Sequence, residues 1–272
     1  MFLICLLSHC VTMLRDLALP AYGEHTCLSV DLLINQSWKV FKFCSILNFE
    51  LVVLVCLCQV LHLFYVIISV VVTMANLHFH HFGHSFVSRA FDLCKREKVS
   101  VNQLLDIPAS SNVFLDGYSG LNFDKVFGNP EKYLHNLKCR RVDILIIDLG
   151  TNDLCGESQT PSVVVNKALQ FLDLLSEHSV NPKHVIFLSV IQRTLITRSN
   201  QVSLNTFNKR AKKYNKQLDI KLKHRASNLH VFAQSGINYP KYISDGCHLN
   251  SDGLKLYCKQ LKQIVNHYSQ LC

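Results

Sequence analysis

Val142-Asp143-Ile144-Leu145-Ile146-Ile147-Asp148-Leu149, followed by Gly150-Thr151-Asn152-Asp153, decides how this chain is read. Six of the first eight residues are apolar, and four of those are β-branched. Such a run suits a strand with both faces covered rather than one that alternates between core and water. Asp148 is the one polar interruption near its end. The glycine and the polar residues that follow mark a sharp exit from the sheet.

Outward from this run the same texture recurs. Residues 77–82 read as a strand that stops at Gly83, and residues 85–98 as a helix with Phe86, Ala90, Phe91 and Cys94 on one face. Short strands are expected at 112–115, 184–191 and 229–232, and helices at 162–178, 204–224 and 251–268. Strands alternating with helices predict an α/β fold, a parallel sheet covered on both faces. In such sheets functional groups gather beyond the carboxyl ends of the strands. Ser85, Gly120 and Asn152 each follow a predicted strand, and a polar loop at 245–248 precedes the last helix.

The first quarter of the 272-residue chain differs. Residues 51–74 contain no charged side chain and are long enough for a helix to cross a hydrocarbon layer of ~30 Å. Their abundant valines suit strands as well. Lys39 and Lys42 precede this stretch, and no Lys or Arg follows until Arg89, which would leave the remaining chain outside the cytoplasm. The division expected is an apolar N-terminal segment, 1–75, with a transmembrane helix at 51–74 that can anchor the chain to a membrane, and a catalytic-sized domain, 76–272. Residues 1–14 lack the basic start of a cleaved signal peptide.

The formal net charge is +9, with Lys209, Arg210, Lys212, Lys213 and Lys216 clustered on one predicted helix. A solvated helix face is the plain explanation; docking on nucleic acid or acidic membrane is the alternative. The twelve cysteines form no CxxC pair and no zinc spacing, so most read as small buried apolar residues. His78, His80, His81 and His84 crowd one strand, yet no carboxylate or cysteine lies near them in sequence, so neither a metal nor a cofactor is expected.

Three motifs can carry chemistry. Gly83-His84-Ser85-Phe86 puts a hydroxyl at a strand-to-helix turn, where helix N–H groups favour developing negative charge; a simple N-cap is the bland alternative. Gly150-Thr151-Asn152-Asp153 offers an amide donor or an Asx turn. Asp245 and His248, three apart on a turn, can pair so that the carboxylate fixes the imidazole tautomer; a metal pair or a capping loop would also use these residues.

Together GHSF, SGLNF, GTND and DGCHLN resemble, in order along some 170 residues, the four blocks of the SGNH (GDSL-like) hydrolase superfamily, in the GHSF flavour of invertebrate esterase domains. The resemblance implies a three-layer α/β/α sandwich on a flavodoxin-like, five-stranded parallel sheet. It implies a serine esterase acting on lipid, sugar or small-molecule acyl and acetyl esters. Ser85 would be the nucleophile, Asp245 and His248 would complete the triad, and Ser85, Gly120 and Asn152 would form the oxyanion hole. Gly117 competes with Gly120 for the second donor. His84 stands where the family usually has aspartate. The other common serine-hydrolase fold needs Gly-x-Ser-x-Gly, and residue 87 is Val.

Overall fold

The computed structural model describes residues 77–107, 111–195, 202–237 and 240–270. The expected transmembrane stretch at 51–74 and the proposed boundary at 75/76 lie outside them. Among the described residues no helix is long and apolar enough to cross a membrane.

Five strands, β1 (His78–Gly83), β2 (Asn112–Gly117), β3 (Ile144–Asp148), β4 (His184–Leu188) and β5 (Leu229–Phe232), form one sheet in the order β2-β1-β3-β4-β5. Every pairing is parallel. Seven helices are described: α1 (Ser85–Glu97), α2 (Val101–Leu105), α3 (Phe123–Gly128), α4 (Pro130–Cys139), α5 (Pro161–Glu177), α6 (Leu204–Arg225) and α7 (Ser251–Ser269).

The period of two along the strands sorts side chains into two cores. Ile144 and Ile146 face one layer with Phe79, Phe86, Ala90, Leu93, Tyr257 and Leu261, under α1 and α7. Leu145 and Ile147 face the other with Phe82, Phe123, Phe171, Phe207 and Leu218, under α3, α5 and α6. The result is the parallel sheet covered on both faces that the alternation predicts, and the three-layer α/β/α sandwich that the resemblance implies. All five residues of β3 are buried, as the apolar run predicts.

The predicted strand at 184–191 ends early, at Leu188: the Ser189 N–H still reaches the Phe232 carbonyl at 2.9 Å, but Val190 bonds the Asn215 side chain through both its N–H and its carbonyl, at 2.8 Å and 3.0 Å. Helices α2, α3 and α4 are not anticipated. Each is short and owes its start to a polar cap, Ser100, Asn122 and Asn129 respectively, rather than to apolar periodicity.

The chain runs from β1 outward to β2 and then returns to β3 on the other side of β1. The strand order therefore reverses between β1 and β3, the place where such sheets open a crevice. Gly83 and Asp148 stand opposite one another at that point.

Gly117, at the end of β2, lies beneath the first turn of α1. A Cβ there would sit 2.1 Å from the Ser88 nitrogen and 2.6 Å from the Ser88 Cα. Gly117→Ala must therefore push the start of α1 off the sheet. It is expected to lower stability by about 1–3 kcal/mol, the usual range for overpacking. Urea unfolding checks this, and an unchanged midpoint would contradict the close approach.

Candidate active site

His84 ends the crossing from β1 with extended backbone, and its ring caps α1 by accepting the Phe86 N–H at 3.4 Å. Ser85 is thereby the first residue of the helix, half-buried, above the sheet edge. Its hydroxyl lies 3.4 Å from His84 Nδ1.

Asp245 and His248 come together as their spacing predicts. Asp245 Oδ2 accepts the His248 Nδ1–H at 2.6 Å, while Oδ1 accepts the backbone N–H groups of His248 at 2.8 Å and Cys247 at 3.2 Å. Gly246 makes the turn possible with a φ of +84°, and its carbonyl accepts the Thr194 N–H, tying the loop to the segment after β4. At the other end Asn250 caps α7 on the Gly253 N–H. Partial burial pushes the Asp245 carboxyl upward, but the His248 ring and the two backbone N–H groups outweigh it, leaving the group well below the usual carboxylate range. With Nδ1 engaged, His248 keeps its lone pair on Nε2. Among the described residues no hydrogen bond joins the Ser85 hydroxyl to His248; the serine's contact is with His84.

Asn152 donates from Nδ2 to the Leu121 carbonyl at 2.8 Å, which brings the GTND block against the SGLNF block and leaves one amide N–H for another acceptor. Gly120 is exposed with φ +68°, and Lys125 Nζ holds its carbonyl at 2.8 Å. Gly117, the competing donor, is the last residue of β2, packed beneath α1.

Asp153, next to Asn152, is 3 % exposed and takes the Phe123 N–H at 3.1 Å. Burial is the main cause that raises its pKa to about 6, from 3.8. The fold thus prefers the protonated acid. This contribution is complete below pH 3.8 and is lost as pH rises through about 6. Asp153→Asn keeps the acceptor and never ionises. It is expected to raise stability above about pH 7 by an amount on the order of 3 kcal/mol and to leave acid stability nearly unchanged. Urea midpoints across that range test it; parallel curves for the two chains would refute it.

The clustered histidines are accounted for one by one. His80 Nδ1 meets Asp116 Oδ2 at 3.2 Å, and His78 and His80 share the Phe114 ring, on one face as their spacing predicts. His81 meets Tyr257, and His84 meets Asp148. The partners missed in the sequence, Asp116, Asp148 and Tyr257, come from distant elements. Arg210 departs from the basic cluster: it donates to the carbonyls of Gly156 and Glu157, strapping α6 to the loop after β3. Lys209, Lys212, Lys213 and Lys216 are exposed.

Asp245, Cys247 and His248 present donor atoms within 4.8 Å of one another. Yet the 2.6 Å separation of Oδ2 and Nδ1 is that of a hydrogen bond. It is shorter than the edge of about 3.3 Å that two ligands at zinc-bond length would span.

No family model matches the chain, and no curated protein matches it. Solved structures do. A carbohydrate acetylesterase family member from Sinorhizobium meliloti superposes with a TM-score of 0.54 at 13% identity, covering 72% of this chain and 100% of its own. The M. Smegmatis aryl esterase gives 0.53 at 15% identity, covering 71% and 99%. A member of the lipolytic protein G-D-S-L family from Veillonella parvula gives 0.50 at 14%, covering 70% and 99%. The described part of the chain has the fold of these proteins over nearly their whole length.

Proposed function

We propose that this chain is an SGNH-type serine esterase that hydrolyses acyl or acetyl esters of small molecules, sugars or lipids. The observation that carries the proposal is the Asp245–His248 pair. The carboxylate takes the Nδ1 proton, which leaves the imidazole a basic Nε2, the form that a serine at the start of α1 would need as its base. A capping loop alone has no need of that tautomer. Solved esterases sharing the fold support the same reading.

In the proposed reaction His248 removes the Ser85 proton as Oγ attacks the ester carbonyl. Asp245 holds the imidazolium that forms. The backbone N–H of Ser85 at the helix start, that of Gly120, and the second N–H of Asn152 would receive the oxyanion. One such donor is worth about 3–4 kcal/mol in the transition state. His248 returns the proton to the departing alkoxide. A water molecule, deprotonated in the same way, then releases the acid from the acyl-enzyme. His84, in place of the family's usual aspartate, leaves the nucleophile and the triad acid in position, since the acid here is Asp245.

The test is hydrolysis of a short-chain aryl ester together with covalent labelling by a fluorophosphonate, the modified peptide being located by mass spectrometry. Label on the peptide containing Ser85 supports the proposal. Absence of both turnover and label defeats it.

A further inference from the structure

Behind the nucleophile lies a group of titratable side chains for which the reaction above has no use. His81, His84, Asp148 and Tyr257 are 1 %, 1 %, 2 % and 0 % exposed. Burying a carboxylate among imidazoles is costly unless polar partners meet it, and here each Asp148 oxygen has one, while His81 Nδ1 is buried with no hydrogen-bond partner among the described residues. The Tyr257 hydroxyl donates to Asp148 Oδ2 at 2.6 Å and lies 2.9 Å from His81 Nε2. Asp148 Oδ1 lies 3.1 Å from His84 Nε2. On the far edge of the His84 ring, Nδ1 is 3.4 Å from the Phe86 nitrogen and 3.4 Å from Ser85 Oγ.

The tautomer follows from these contacts. A backbone N–H can only donate, so Nδ1 of His84 carries the lone pair and the proton sits on Nε2, facing Asp148. The Tyr257 proton is given to Asp148, so the tyrosine oxygen receives the His81 Nε2–H. Burial makes His81 a poor cation, its pKa lowered to about 4, which suits a neutral donor. Asp148 takes the Tyr257 proton on Oδ2 and faces the His84 Nε2–H with Oδ1, accepting on both oxygens as a carboxylate does; burial raises its pKa, and His84, His81 and the tyrosine hydroxyl bring it below the ordinary value. Carboxylate, imidazole and serine hydroxyl thus stand in sequence, Asp148–His84–Ser85, with a basic nitrogen toward the hydroxyl.

We propose that His84, backed by Asp148, is a second acceptor for the Ser85 proton. Ser85 is then served by two His–Asp pairs, one on the rim and one in the core. This rests on Ser85 being the nucleophile. In the step, the Oγ–H bond breaks and the proton moves to His84 Nδ1, which gives up its long contact with Phe86. The electron pair left on Oγ forms the bond to the acyl carbon. The His84 imidazolium is balanced by Asp148 until the proton passes to the leaving alkoxide.

The experiment follows the rate at which a fluorophosphonate modifies Ser85 in the full chain, in His248→Ala, and in His248→Ala with His84→Asn. Asparagine caps helices well, and its carbonyl can accept the Phe86 N–H, but it is not basic. The His248→Ala chain is expected to label slowly and only where Ser85 is present. Adding His84→Asn should slow it at least about 100-fold further, the low end of what a positioned base contributes. Equal rates for the two variants, with equal melting temperatures, overturn this proposal and leave the esterase reading intact. If the unaltered chain takes no label on Ser85, the esterase reading itself fails and this one with it. Should His84→Asn not fold, ¹⁵N spectra of the histidine rings in His248→Ala decide instead. An unprotonated Nδ1 on His84 that responds to Ser85→Ala supports the proposal, and a proton on Nδ1 overturns it.

Discussion

Ser85→Ala is expected to cut hydrolysis of a short-chain aryl ester by at least about 10³-fold and to remove all fluorophosphonate label, while the fold is kept. The magnitude follows from losing the atom that forms the acyl bond; what survives comes from binding and the oxyanion donors alone. The stability expectation follows from the structure. The hydroxyl makes one long contact, to His84 Nδ1, and the helix cap is supplied by the His84 ring, not by Ser85. Removing the hydroxyl therefore leaves α1 capped and should shift the melting temperature little. If Ser85 were only a helix-start residue, the variant would be as active as the parent chain. Equal turnover with equal stability would sink the assignment. The same variant also serves as the blank for the labelling experiment on His84.

Much of this arrangement is legible in the amino-acid sequence, for physical reasons that also mark its limits. The order of strands and long helices is readable because β3 is apolar up to Asp148 and because α5 and α7 carry regular apolar stripes; on α1 the stripe is only partly readable, since Phe91 is exposed and Val87 and Leu93 are buried instead. The Asp245–His248 pair is readable because both partners lie on one turn, three residues apart, where local geometry alone brings them together. Contacts across the sheet are a different matter. Asp148 stands out as a carboxylate in a buried run, but its partners are 64 and 109 residues away, at His84 and Tyr257. The same holds for His80 and Asp116. Without those partners the histidines of β1 look like an unfinished metal site; with them His80 and His81 are paired groups in the core, while His78, half-buried, stacks on Phe114. Arg210 is misread for a related reason. A cation on an exposed-looking helix resembles its lysine neighbours until the carbonyls after β3 are seen to hold it. Short helices such as α3 and α4 escape notice because an asparagine cap and a proline, rather than periodicity, start them.

Asp245→Asn separates the two roles this residue can play. As a loop-former, Asp245 works through Oδ1, which accepts the His248 and Cys247 backbone N–H groups. An asparagine carbonyl does the same, so the turn before α7 should survive with little change in melting temperature. As the acid of a triad, Asp245 works through Oδ2, which accepts the proton of His248 Nδ1. Asparagine presents an NH₂ there, which can only donate. The His248 ring must then accept at Nδ1 and carry its proton on Nε2, the nitrogen that should take the proton from Ser85. Turnover is expected to fall by about 10²–10⁴-fold, the scale of a general base held in the wrong tautomer. The His84–Asp148 pair is untouched by this change, so labelling at Ser85 should persist at the slow rate of His248→Ala. An Asp245→Asn chain with full turnover and an unaltered melting temperature would reduce Asp245 to its turn-forming role and leave His248 without its orienting acid.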